Sequence, residues 1–203
     1  MPRPWSLPFV HTVVSIALLS GLAMWTLPAA AQTATPRSNG EMTYESPSFG
    51  YEVSWDVSWT AGDLTDSSQD GADTLELTTE DATLTVVGIA AEPNGTRPSI
   101  TTALLDAIRS ITQVDPDWTI VASAPAGPAP SLVVAYEDGG ETVRAYIEAR
   151  DVAGGDAVAT VSLVAARDEF DAALADAQAS VTLDNAPIFA GALGNGTETT
   201  GEA

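Results

Sequence analysis

The sequence predicts an α+β domain, a central and largely antiparallel β-sheet with two helices packed on it. Three observations carry that prediction. Tyr51, Val53, Trp55, Val57 and Trp59 alternate with Glu52, Ser54, Asp56 and Ser58, a period of two that marks a strand with one buried face. Short β-branched runs are joined by tight turns at Glu80-Asp81 and Asp138-Gly139-Gly140, the pattern of hairpins and hence of antiparallel pairing. Two further segments repeat their apolar residues every three or four positions, as helices do when one face is buried.

Taken in order, Tyr44 to Pro47 is a short strand, and Gly50 suits a turn or bulge leading into the alternating strand at 51–59. The stretch 61–73 carries Asp63, Asp66, Asp70 and Asp73 among Gly and Ser and reads as an acidic loop. Strands at 74–78 and 83–89 form the first hairpin. Pro93-Asn94-Gly95 breaks the chain, and Ser99 is placed to cap a helix whose stripe is Leu104, Ala107, Ile108 and Ile111. Strands follow at 118–122, 132–136, 142–148 and 157–164. In the third of these Val143, Ala145 and Ile147 share one face, with Arg144, Tyr146 and Glu148 opposite. A second helix is expected from an Asp168 cap, with Asp171 in its first turn and Phe170, Leu174, Ala177 and Val181 on one side.

Composition narrows what such a domain can do. The 203 residues hold 28 acids, seven basic residues that are all arginine, one histidine and no cysteine, for a formal charge of −21. Residues 1–31 combine Arg3, an apolar run from Val13 to Trp25 and a small-residue Ala29-Ala30-Ala31 site, which reads as a secretory signal peptide cleaved after Ala31. An uncleaved anchor is the alternative, since the run from His11 to Leu27 approaches the roughly 18 residues a spanning helix needs. The remaining boundaries are a flexible leader at 32–43, one globular domain at 44–183 and a disordered tail at 184–203. Cleavage removes His11, and the rest of the chain then lacks His, Cys and Lys. That excludes thiolate nucleophiles, Ser-His pairs, Schiff bases, P-loops and the usual zinc ligand sets. Phosphate backbones and anionic lipid are repelled by the net charge, so no nucleic acid and no stable membrane insertion are expected. Cationic or neutral proteins or small ligands are the expected partners, outside the cytoplasm.

Phe49-Gly50-Tyr51-Glu52-Val53-Ser54-Trp55 followed by Trp59 resembles the opening of PsbP-like domains, in which an aromatic-Gly-aromatic start leads into a short strand, a proline and a tryptophan. Asp56 stands where that proline is expected, which leaves open whether the strand stops at Trp55 or continues to Trp59. The resemblance spans about Tyr44 to Leu183 and implies an α/β/α sandwich, a central antiparallel sheet between helices. It implies a binding or assembly module rather than an enzyme. Lysines that would dock a photosynthetic member are absent.

The candidate chemistry is sparse. Trp55 and Trp59 have the composition of a stacking platform, but their phase with Tyr51 and Val53 assigns them to the core. Asp63, Asp66, Asp70 and Asp73 are the candidates for a calcium site, which needs six to eight oxygen ligands. Their spacing matches no EF-hand, and a solvated acidic loop is the favoured reading. Arg109, Arg144, Arg150 and Arg167 are expected to pair with surface acids. Asn94-Gly95-Thr96 and Asn195-Gly196-Thr197 match glycosylation sequons. No catalytic residue and no cofactor is assigned. A non-enzymatic module is the expectation, and a hydrolase using acidic residues is the alternative.

Overall fold

A computed structural model describes residues 34–36, 40–62, 68–69, 72–89, 99–112, 118–124, 127–155 and 157–189. The signal peptide, both sequons, Asp63, Asp66, Asp70 and the chain beyond Phe189 lie outside these residues.

The class is α+β: the described residues form antiparallel sheets and two α-helices. Strands β1 (Thr35–Pro36), β2 (Met42–Glu45) and β3 (Glu52–Trp55) form a small sheet with β12 (Val181–Leu183) and β13 (Ala186–Pro187), in the order β1-β2-β3-β12-β13. A larger sheet runs β4-β6-β7-β11-β10-β9-β8, from β4 (Thr60–Ala61), β6 (Ala72–Thr78), β7 (Ala82–Ile89), β11 (Ala157–Ala166), β10 (Glu141–Val152), β9 (Ser131–Asp138) and β8 (Thr119–Ala124). A two-residue strand, β5 (Ser68–Gln69), pairs with β6. The globular part therefore includes residues on both sides of 44–183: β1 and the start of β2 fall within the expected leader, and β13 within the expected tail.

The turns explain the hairpins. At the β6–β7 turn the Thr79 side chain accepts from the amides of Asp81 and Ala82 at 3.3 and 3.1 Å, closing the loop read from Glu80-Asp81. Between β9 and β10, Gly139 and Gly140 have φ of 61° and 89°, the left-handed pair a two-residue hairpin requires. Strand β10 then pairs β9 and β11 at once, Tyr146 facing Val133 on one side and Leu163 on the other.

Alternation divides the larger sheet between two cores. Ala145, Ile147, Ala149, Val134 and Val158 pack with Ala103 and Leu104 of helix α1 (Ile100–Thr112). Tyr146, Ala159, Val161, Leu163, Leu75, Leu77, Leu84 and Val86 pack instead with Tyr44, Tyr51, Val53 and Trp55 of the small-sheet region, and with Phe170 and Ala177 of helix α2 (Phe170–Ser180). The first helix begins where expected, the Ser99 hydroxyl accepting from the Thr102 amide at 3.0 Å.

Two expectations need correction. The alternating strand ends at Trp55. The Asp56 carboxylate accepts from the Ser58 amide at 2.8 Å and turns the chain. Val57 is consequently 83% exposed, while Trp59 re-enters the core. Asp168 does not cap the second helix. That helix starts at Phe170 after a Glu169 with helical φ and ψ, the Glu169 amide donating to the Ala166 carbonyl at 3.1 Å. On β10, Tyr146 and Glu148 on the face opposite Val143, Ala145 and Ile147 are buried too, because this central strand is covered on both sides.

Candidate functional site

The described residues with chemical potential are three carboxylates, Asp73 and Glu148 fully buried and Asp184 half-buried, and each is engaged by the protein itself. Asp73, a calcium candidate read as part of a solvated loop, lies in β6 in phase with Leu75 and Leu77 and is fully buried. Counting back by two from those leucines marks it as inward-facing, a signal present in the sequence. Its Oδ1 accepts from the Ser48 hydroxyl at 2.8 Å. Its Oδ2 accepts from the Ser48 amide at 2.9 Å and, in a very short contact, from the Ser46 hydroxyl. The Ser46 Oγ in turn accepts from the Phe49 amide at 3.1 Å. Asp73 thus fixes the Ser46–Gly50 turn onto the larger sheet. The Tyr51 hydroxyl donates to the Asp73 carbonyl at 3.3 Å, and its pKa is raised by burial first and then by the neighbouring Tyr44 and Asp73. Both Asp73 oxygens face hydroxyl and amide donors, the wrong polarity for a cation. Among the described residues no three acidic or histidine side chains come together as a metal site.

The second carboxylate is Glu148 of β10. Arg150 donates to its Oε1 from Nε at 2.6 Å and also from Nη2. Both Arg150 Nη atoms reach the Pro187 carbonyl at 3.2 Å. This pair is interior, with Glu148 fully buried, so Arg150 does not meet a surface acid as expected. Its partner lies on the same strand face, two residues back, a pairing visible only once that face is known to be covered. Burial raises the Tyr146 phenol beside this pair, against the lowering effects of Ser131 and Arg150.

The third is Asp184, in the turn between β12 and β13. Its Oδ1 accepts from the Glu52 amide at 2.9 Å and its Oδ2 from the Ala153 amide at 2.7 Å. It joins the edge of β3 to the 3-10 turn at Ala153–Gly155. The other arginines differ: Arg109 pairs with Asp106 at 2.9 Å on the exposed side of α1, and Arg144 lies 5.9 Å from the centre of the Phe170 ring. Trp55 and Trp59 are 1% and 3% exposed, which removes both from any stacking platform. The Trp59 indole donates to the Ser180 hydroxyl at 2.9 Å, tying the turn after β3 to the end of α2.

No protein-family model and no curated protein matches this chain. Among solved structures it is similar to LpqN of Mycobacterium tuberculosis, a protein involved in cell envelope biogenesis, at 17% identity and a TM-score of 0.40, over 70% of this chain and 90% of that one. Among the described residues no helix is long and apolar enough to cross a membrane.

Proposed function

We propose that this chain is an exported, acidic binding or assembly module that acts outside the cytoplasm without catalysis, on a PsbP-like α/β/α scaffold. The partner is a cationic or neutral protein or small ligand. The observation that carries the reading is where the positive charge goes. Of only seven arginines against 28 acids, Arg150 is committed to a buried carboxylate, Arg144 to an aromatic ring and Arg109 to an adjacent aspartate. Among the described residues Glu45, Asp81, Glu137, Asp138, Glu141 and Asp171 are exposed, and such acids meet an approaching partner with negative potential, which supplies on-rate, while surface shape supplies specificity. Export rests on the basic start, apolar run and Ala-Ala-Ala site of residues 1–31. The absence of catalysis rests on the lack of His, Cys and Lys after Ala31, and on carboxylates spent in holding segments together.

The test is capture of partners from native envelope extract at low and at high salt, alongside assays with a panel of hydrolase substrates. Exposed charges are screened beyond about 8 Å at physiological salt, so capture is expected to fall as salt rises. Recovery of nucleic acid or of a strongly acidic protein would refute the electrostatic reading. Turnover abolished by changing a single acid to its amide would establish the hydrolase instead.

A further inference from the structure

The chain after β12 does something the ladder does not require. Ala186 and Pro187 are exposed, and the next two residues, Ile188 and Phe189, turn inward and are fully buried. The Phe189 ring meets Tyr146 edge to face, with centres 4.6 Å apart. Among the described residues two residue pairs join β13 to β12. Most of the remaining hold is from side chains: Arg150 on the Pro187 carbonyl, and Gln178 Nε2 on the Phe189 carbonyl at 3.0 Å, with one backbone bond from Ile188 to Val181 at 3.3 Å. Phe189 sits at φ 55°, a left-handed conformation that bulky side chains rarely adopt and that surrounding contacts must enforce. The root of the strap, by contrast, is pinned by Asp184 to Glu52 and Ala153.

We propose that residues 186–189 are a built-in plug, which swings out about Asn185 and leaves an interior groove that accepts a neutral apolar molecule bearing a carbonyl group. A pinned root, a two-rung connection and a strained tip are the ingredients of a segment that opens locally without global unfolding. The groups left behind define the guest. Tyr146 offers an edge-to-face partner for an apolar body, and Arg150 offers the two N–H donors that Pro187 had occupied. Glu148 already balances the Arg150 charge, so a second anion would add a net negative charge inside the protein, where it is costly. A neutral ester or amide carbonyl meets the donors without that cost. The inference is independent of the electrostatic reading above: a module binding only through its charged surface would keep the strap closed.

Backbone hydrogen exchange on the whole chain tests it, with N-acetylphenylalanine methyl ester as the probe and the free acid as control. The Ile188 amide is expected to exchange at least about tenfold faster than the Val161 and Leu163 amides, as local opening requires. The ester should speed Ile188 further while leaving β11 unchanged, and the acid should do neither. In Phe189→Ala the ester, but not the acid, should raise the melting temperature. Gln178→Ala changes an exposed side chain and should accelerate Ile188 alone, which keeps the test open if Phe189→Ala fails to fold. Ile188 exchanging at the rate of β11 in the parent and in Gln178→Ala would overturn the plug. Ester and acid acting alike would overturn the class of guest.

Discussion

At the scale of single residues, charge in the interior is the informative feature. Asp73 replaces what alternation would make a hydrophobic position with an acceptor for two hydroxyls and an amide. Hydrogen bonds to a charged group contribute roughly 1.5–3 kcal/mol each, and donors stranded inside cost a similar amount. Asp73→Ala is therefore expected to lower stability by about 3 kcal/mol or more in denaturant titration, and Asp73→Asn by less, since it keeps the shape and one acceptor. Because the serines and the carboxylate act as one network, Ser46→Ala in the Asp73→Ala background should cost much less than Ser46→Ala alone. This residue was legible in principle from Leu75 and Leu77, yet the Asp-rich composition before it pointed to a solvated loop. Glu148 was hidden for a different reason: alternation says which residues share a face, but not that both faces of a strand are covered.

At the scale of elements, the hairpins, α1 and its Ser99 cap could be read because their determinants are local. Turn chemistry, cap and stripe lie within a few residues of one another. The end of β3 and the start of α2 could not, since an alternation continuing through Val57 competes with an Asp56 side chain that turns the chain back, and Asp168 competes with Glu169 for the helix start. The approach of the Ser46–Tyr51 segment to β7 was equally invisible, although a glycine marks it. A Cβ at Gly88 would press into the Tyr51 ring and lie 2.9 Å from both Phe49 Cδ2 and the Tyr51 hydroxyl oxygen. These are stiff, stacked rings in a packed region, with centroids 6.4 Å apart. Gly88→Ala should thus cost about 1–3 kcal/mol or more by overpacking. The expected signature is a lowered denaturation midpoint together with loss of near-ultraviolet circular dichroism from Tyr51, whereas an unchanged midpoint would mean that the turn stands away from β7.

At the scale of the whole molecule, three of the four buried phenols, Tyr51, Tyr136 and Tyr146, set an alkaline limit. Tyr136 is pushed up to about 12, by burial first and by the Asp138 charge second, and burial likewise raises Tyr51 and Tyr146. A raised folded-state value means that folding favours the protonated phenol. The associated stability is complete below the unfolded value of about 10 and is lost as pH rises toward 12. Tyr136 alone accounts for a loss on the order of 2–3 kcal/mol across that window. Denaturation midpoints measured from pH 9 to 12, with tyrosinate absorbance followed in parallel, should fall over about two pH units, and Tyr136→Phe should flatten part of the fall. The topology has a kinetic consequence as well. β3 has β2 beside it early, but its other edge waits for β12: Glu52 and Asp184, bonded to each other, stand 132 positions apart. Loop closure over such a span is slow, and non-local pairing delays folding. A chain delivered from its N-terminus therefore keeps Trp55 and Tyr51 without their full cover until β12 arrives, so the small sheet is completed only after the 125 residues between β3 and β12, 56–180, have emerged, whether from a ribosome or from a narrow channel.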